Sequence, residues 1–121
     1  MVVADDDDRF RELVTAVLED DGYVVLAEAN DAWSARIAAA EHRPNVVILD
    51  LVMEGSHGLS TLREIQKDDP SQPVLVISSL FDPFIEQEAL ELGAWYLEKA
   101  EGLEALEHAL DNIVSISRNR Y

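Results

Sequence analysis

The chain has 121 residues, of which 25 are Asp or Glu and nine are Lys or Arg, so its formal net charge is −16. This balance argues against direct contact with nucleic acid, because phosphate binding needs clustered basic side chains, and an anionic membrane would repel the chain. The absence of cysteine excludes disulfides, thiolate metal sites and cysteine nucleophiles.

The length predicts one domain over residues 1–121, in which residues from about 115 to 121 form a polar tail or the start of a linker. No apolar run is long enough to span a bilayer and no signal-peptide pattern is present, so we expect a cytoplasmic protein. Lys67 and Lys99 are the only lysines. A soluble acidic protein is the simplest explanation of this composition, and a salt-rich cytoplasm is an open alternative.

The chain begins with an apolar run followed by a helical pattern. Residues 2–4 form a short apolar segment that ends in acids, which predicts a buried strand. Apolar residues then repeat at helical spacing over residues 10–18. We expect Asp7 or Asp8 to cap this helix and Gly22 to end it.

A second strand, a second helix and a third strand follow. The strand is predicted over residues 23–27, and the alanine-rich helix from its cap at Asp31 to about His42. Residues 46–49 form a continuous apolar run rich in β-branched residues, which is typical of a strand covered on both faces.

The second half of the chain repeats the alternation. A loop that contains Gly55 and Gly58 leads to a third helix, which Asp69-Pro70 ends. The later predicted elements are strands over residues 74–77 and 94–97, a short helix that Pro83 precedes and that runs through Leu92, and a last helix over residues 103–114.

Five strands that alternate with five helices predict an α/β fold, a parallel sheet with helices on both faces. Right-handed crossovers leave few topologies, and the strand order 2-1-3-4-5 is favoured. In such a sheet, ligands bind beyond the carboxyl ends of the strands, at the point where the winding direction switches. Here that point lies between strands 1 and 3.

Acidic, hydroxyl and basic side chains follow the strand ends near that point. Asp5 and Asp6 follow the first strand, Asp50 ends the third, Ser78 ends the fourth and Lys99 follows the fifth. Three carboxylates at one place repel each other, so a pKa should rise unless a hard divalent cation binds; Mg²⁺ suits the site, with Mn²⁺ as the alternative. The serine hydroxyl and the lysine ammonium indicate an anionic guest. Together these groups suit phosphoryl transfer, in which an aspartate can be the nucleophile.

The sequence resembles the receiver domain of bacterial-type two-component response regulators, from Val2 to about Ile113. Each matching segment is short, but all occur in order and at nearly the expected spacing. Residues 89–99 further resemble receivers that carry a helix-turn-helix output domain. The matching segments are Val2-Val3-Ala4-Asp5-Asp6 with Arg11, Val46-Val47-Ile48-Leu49-Asp50-Leu51 with Met53 and Gly58, Val74-Leu75-Val76-Ile77-Ser78, Ala89-Leu90, Gly93-Ala94 and Tyr96-Leu97-Glu98-Lys99.

The resemblance implies a flavodoxin-like (βα)5 receiver fold and a metal site. Asp50 would be the phosphoacceptor. Asp6 and Asp50 would ligate Mg²⁺ directly, together with the backbone carbonyl of Val52, and Asp5 would act largely through water.

The resemblance also implies a switch and partners. Ser78 would hydrogen-bond the phosphoryl group, Lys99 would pair with it, and Tyr96 would change rotamer as the loop after strand 4 moves. A histidine kinase or a phosphotransfer protein would supply the phosphoryl group. The face formed by helix 4, strand 5 and helix 5 would then signal to an output domain or protein partner, or form a homodimer, and no separate substrate would be turned over.

Departures from the family pattern keep two alternatives open. Glu54 and Ala100 stand where proline is usual or common, and residues 93–99 form a stretch that is one residue short. These differences suit an interaction module that works without phosphorylation. A Mg²⁺-dependent phosphohydrolase is disfavoured, because it would need a second acid two residues after Asp50, where Val52 stands.

We also expect His57, in the loop after the third strand, to lie over the acidic site.

Two apolar residues bear on the lifetime of a phosphoryl group. Val52 and Leu80 lie two residues after Asp50 and two after Ser78, and both should flank the path of a water that attacks the acyl phosphate. Neither side chain can hydrogen-bond that water. We therefore predict slow self-dephosphorylation.

Overall fold

The computed structural model describes residues 1–53, 55 and 59–118, with the backbone alone for residues 117 and 118. Five parallel strands form one sheet in the order β2-β1-β3-β4-β5, which confirms the predicted topology. The strands are β1 (Val2–Ala4), β2 (Ala27–Ala29), β3 (Val47–Asp50), β4 (Val74–Ser78) and β5 (Trp95–Glu98). The helices are α1 (Asp8–Asp20), α2 (Ala32–His42), α3 (Ser60–Asp68), α4 (Pro83–Glu91) and α5 (Leu103–Arg118), and a 3₁₀ helix (Lys99–Glu101) joins β5 to α5.

Each face of the sheet has its own apolar cluster and its own helices. Successive side chains of a strand point to opposite faces, so in β3 Val47 and Leu49 lie in one cluster and Ile48 in the other. Residues of α2, α3 and α4 close the first cluster, and residues of α1 and α5 close the second. Because helices cover both faces, the central strands are apolar almost to their ends.

Three strands extend one residue beyond their apolar runs, which confirms the predicted strand ends at Asp50 and Ser78 and moves the end of the fifth strand to Glu98. The last residues of β3, β4 and β5 are Asp50, Ser78 and Glu98. Asp50 still pairs with Ile77, and Ser78 pairs with Glu98, because the backbone ladder does not depend on side-chain polarity. The sheet itself, rather than a loop, therefore holds polar side chains at its carboxyl edge.

The predicted position of the second strand, residues 23–27, is wrong, because β2 covers Ala27–Ala29. The apolar run instead lies beside Met1, before the ladder with β1 begins. The Met1 amino group donates to the Val24 carbonyl, and the Leu26 N–H donates to the Met1 carbonyl. Val24 and Leu26 consequently lie at the exposed surface.

The predicted end of the last helix at residue 114 is wrong, because residues 115–118 continue α5. Neither Gly nor Pro occurs in α5, so the chain has no residue there that would end the helix. Residues 119–121 lie outside the described residues. No helix in the described part of the chain is long and apolar enough to cross a membrane.

We expect Leu110→Ala to lower the free energy of unfolding by about 2–5 kcal/mol. Leu110 is fully buried in the cluster between α1, α5 and the sheet, so its truncation leaves a cavity. Urea unfolding measures the change. Leu13→Ala is the matched control, because Leu13 is 54% exposed on α1 and its truncation should cost well under about 1 kcal/mol. Equal losses in the two variants would contradict this packing.

Candidate functional site

Three carboxylates meet at the carboxyl edge of the sheet, beyond β1 and β3. These strands are neighbours, and Ala4 pairs with Leu49, so the next residues, Asp5 and Asp50, lie at the same height. Asp5 is 0% exposed and Asp50 is 3% exposed, whereas Asp6 is exposed. One carboxylate oxygen from each of the three acids lies within 4.8 Å of the others. The fold thus brings together the three acids that the sequence singles out.

The backbone around Asp5 is fixed from both sides. The N–H of Asp7 donates to Asp5 Oδ1 at 2.9 Å, which turns the chain from β1 toward α1. Arg11 Nη1 donates to the Asp5 carbonyl at 2.7 Å, and the same guanidinium pairs with Asp8 and Glu28. These contacts give Arg11, a residue of the matched motif, a structural function.

The environment of Asp50 favours its protonated form in the absence of a cation. Burial raises the pKa of Asp50, and the charge of Asp5 and a hydrogen bond with Asp5 add to the rise, which brings the pKa to about 6. The Lys99 ammonium and the N–H of Val52, which donates to Asp50 Oδ1 at 3.2 Å, act in the opposite direction. A pKa therefore rises as the sequence predicts, but its first cause is burial, and Asp5 is the acid that adds to the rise.

Lys99 lies between the two buried acids. Its Nζ is 2.8 Å from Asp5 Oδ2 and 3.3 Å from Asp50 Oδ2, and it stands 4.4 Å from the centroid of the Phe10 ring. Burial opposes its charge, but the hydrogen bonds and charges of the two acids outweigh burial and raise the pKa of Lys99. The short stretch at residues 93–99 therefore does not keep this lysine from the acids.

The donor set fits a hard divalent cation. Asp5 Oδ2 is buried, and its one contact among the described residues is the Lys99 ammonium at 2.8 Å; a carboxylate oxygen can accept a second partner, so it retains acceptor capacity. Two buried carboxylates and the exposed Asp6 supply hard oxygen ligands, and open water beside Asp6 suits Mg²⁺, which keeps several waters. The residues present therefore fit the expected metal.

Ser78 and Tyr96 contact the same backbone group. The Ser78 hydroxyl donates to the Leu80 carbonyl at 2.7 Å and accepts from the Leu80 N–H at 3.2 Å. The Tyr96 hydroxyl donates to the same carbonyl at 3.4 Å. Ser78 is buried at the end of β4, whereas Ser79 is exposed, which favours Ser78 as the inward-facing hydroxyl.

Apolar side chains form the rim beside Asp50. Val52 is 58% exposed and Leu80 is 70% exposed. Both line a groove of about 270 Å³ that also contacts Ser78. The loop after β3 also contains Glu54, His57 and Gly58, which the sequence singles out. These three residues lie outside the described residues.

Phe10 is a site residue that its sequence pattern does not reveal. Helical spacing predicts that it packs in the core, and it does contact the cluster under α1 and α5. Its ring also faces the Lys99 ammonium. The available signal was its position in the first turn of α1, five residues after Asp5, but periodicity alone does not separate a core aromatic from one that contacts a charge.

Comparison with known proteins decides the family. A family model described as the response regulator receiver domain matches residues 1–111. The chain belongs to this family. Receiver domains are signalling modules that interact with kinases and output domains. The family match agrees with the sheet order and with the acids at its carboxyl edge.

Solved structures of receiver domains are similar over nearly the whole chain. The receiver domain of NtrX from Brucella abortus has a TM-score of 0.84 at 32% identity and covers 94% of this chain and 97% of its own. The signal receiver domain of the putative regulator NarL from Mycobacterium tuberculosis has a TM-score of 0.86 at 31% identity and covers 94% of both chains.

A curated relative shows the same module within a longer protein. The protein-glutamate methylesterase/protein-glutamine glutaminase of Haloarcula marismortui is 38% identical over 95 residues, which are 77% of this receiver domain and 26% of that protein. This chain thus spans about a quarter of the length of that relative.

We expect Asp50→Asn to stabilise this receiver domain at pH 7 when divalent cations are removed. The folded protein holds the Asp50 proton up to about pH 6, whereas the unfolded chain releases it near the ordinary pKa of 3.8. The parent therefore loses stability as the pH rises from about 4 to about 7, and the variant lacks this loss. A rise from 3.8 to about 6 corresponds to a gain of roughly 3 kcal/mol at pH 7, which should fall to well under about 1 kcal/mol near pH 4.

Urea unfolding with a chelator at both pH values measures this difference. Asp20→Asn is the control, because it removes one carboxylate of the same type at an exposed position on α1. A gain that does not change with pH, or one that Asp20→Asn reproduces, would contradict the pKa shift of Asp50.

Proposed function

We propose that Asp50 accepts a phosphoryl group from a histidine kinase or a phosphotransfer protein in a Mg²⁺-dependent step. Residues 1–121 would act as one cytoplasmic receiver domain that modifies itself and turns over no separate substrate. The observation that carries the proposal is the arrangement at the sheet edge. The carboxylate of Asp50 lies with Asp5 and Asp6 in one acidic cluster, and Lys99 Nζ is 3.3 Å away.

This arrangement supports a direct displacement at phosphorus. An oxygen of Asp50 attacks the phosphorus atom, the P–N bond of the phosphohistidine breaks, and its electron pair goes to the imidazole nitrogen, which takes up a proton. The product is an acyl phosphate on Asp50. Asp5, Asp6, Asp50 and the Val52 carbonyl would hold the Mg²⁺, which supplies positive charge to the transferring oxygens. The Lys99 ammonium adds the positive charge that this chain provides itself.

The contacts of Leu80 support a coupling between the phosphoryl group and the partner surface. The Ser78 hydroxyl now donates to the Leu80 carbonyl, and it must leave this acceptor in order to donate to a phosphoryl oxygen. The loop between β4 and α4 then loses one of its fixed points, and Tyr96, which donates to the same carbonyl, would change rotamer as the loop moves. A local charge change at Asp50 thus biases a loop that leads into α4.

The face formed by α4, β5 and α5 is the surface through which this change would reach an output domain, a protein partner or a second copy. Phe84 and Leu90 on α4 are 82% and 52% exposed. Exposed apolar groups of this size suit contact with another protein. The loop between β4 and α4 leads into α4, and α4 also forms part of this partner surface.

The proposal predicts that the protein gains the mass of one phosphoryl group when it is incubated with Mg²⁺ and a small acyl phosphate. Intact mass spectrometry measures the gain. Asp50→Asn should show none, and omission of Mg²⁺ should reduce the gain in the parent strongly, because the carboxylates would then repel the incoming anion.

Asp20→Asn is the matched control and should be phosphorylated as the parent is. If the parent gains no mass under conditions in which another receiver domain reacts, the proposal fails. That result would favour an interaction module that works without phosphorylation. If Asp50→Asn gains mass as the parent does, Asp50 is not the acceptor.

The exposed apolar rim predicts that the phosphoryl group is lost slowly. Val52 and Leu80 cannot position an attacking water, so the purified phosphoprotein should keep its phosphoryl group for minutes or longer. Val52→Asn supplies an amide that can hydrogen-bond water and should speed the loss several-fold, whereas the apolar Val52→Leu should not. A time course of intact mass measures both rates. Loss from the parent within seconds would disprove this prediction.

A further inference from the structure

The geometry points to Phe10 as a positioning residue for Lys99: the face of its ring holds the lysine ammonium at the site where Asp50 would be phosphorylated. This inference rests on the proposed function, and it assigns to Phe10 a role beyond packing in the core. Lys99 Nζ stands over the ring, 4.4 Å from its centroid. This distance lies well within the range of about 6 Å in which a cation and an aromatic face attract each other.

The ring differs in kind from the other contacts of the ammonium. Among the described residues, three contacts of Lys99 Nζ are recorded: with Asp5, with Asp50 and with the Phe10 ring. The contacts with Asp5 and Asp50 depend on the charges of these two carboxylates. Those charges would be altered or shared when a cation binds or when Asp50 is modified. The ring has no charge to lose. It is therefore the contact that persists through these changes.

The start of α1 fixes the ring in place. The Asp5 carboxylate accepts the N–H of Asp7, and the Asp7 side chain in turn caps α1 by accepting the N–H of Phe10 at 3.2 Å. The Phe10 ring contacts Lys99, whose ammonium pairs with Asp5. These contacts form a closed circuit of four residues. The position of the lysine is thus tied to the same turn that places Asp5.

Packing alone does not explain this placement. The ring of Phe10 contacts the cluster under α1 and α5, which any apolar side chain of similar size would also do. The Lys99 side chain is only 16% exposed, however, and beside its two carboxylate partners the ring offers the ammonium an uncharged π face, which an aliphatic side chain would not supply. Replacing the ring by an aliphatic group therefore separates the two roles.

The test uses the two lysines of the chain. In protein labelled with ¹³C-lysine, only Lys67 and Lys99 give ε-methylene signals. We expect the Lys99 signal to lie upfield of the Lys67 signal because of the ring current of Phe10. Lys67 is exposed on α3 and serves as the internal reference, and Lys67→Arg assigns the two signals.

Two variants then separate the ring from its bulk. Phe10→Leu removes the π face and keeps an apolar group, whereas Phe10→Tyr keeps the face. In Phe10→Leu we expect the Lys99 signal to move toward that of Lys67 and Mg²⁺-dependent phosphorylation by a small acyl phosphate to slow by roughly three- to ten-fold. Phe10→Tyr should keep both the signal and the rate close to those of the parent.

Each other outcome overturns the inference in a distinguishable way. An unchanged Lys99 signal in Phe10→Leu would show that no ring contact exists in solution. A moved signal with an unchanged phosphorylation rate would show that the contact does not position the lysine for the reaction. Equal slowing in Phe10→Tyr and Phe10→Leu would mean that packing is responsible. If the parent itself is not phosphorylated, the proposed function fails and the positioning role falls with it, while the lysine signals still report on the contact.

Discussion

Two buried carboxylates share one lysine at the carboxyl edge of the sheet, and much of this structure serves that arrangement. Taking charges out of water is costly unless each is paired or hydrogen-bonded. Asp5 and Asp50 are both buried; burial and the neighbouring charge of Asp5 raise the pKa of Asp50 to about 6, and the Lys99 ammonium offsets only part of this rise. The uncompensated negative charge of this site lowers the stability of the folded protein. A divalent cation bound there would offset that cost.

The register of the strands and two basic side chains hold these charges together. β1 and β3 are neighbours in register, so Asp5 and Asp50 end at the same height. β5 lies at the other side of β4, and Lys99 reaches back from its end to both acids. Rigid apolar strands beneath the site keep the carboxylates from moving apart, and Arg11 fixes the turn after β1.

Much of this arrangement could be predicted from the sequence, because continuous apolar runs and caps report directly on strands and helix starts. The strand order, the cap at Asp7 or Asp8 and the meeting of the acids with Lys99 are examples. The second strand was misplaced because an apolar run does not reveal where a short partner strand begins. The Phe10 contact was missed because helical periodicity treats an aromatic near a charge as ordinary core.

The most direct measurement of the central claim is thermal unfolding of the protein with and without Mg²⁺, compared with Asp50→Asn and Asp20→Asn. A cation that binds only the folded site stabilises it by mass action, by about 2.7 kcal/mol when its concentration is one hundred times its dissociation constant. The account predicts a clear rise in Tm with Mg²⁺ for the parent and for Asp20→Asn, and a much smaller rise for Asp50→Asn. No rise in the parent, or the same rise in all three proteins, would contradict a cation site built on these carboxylates.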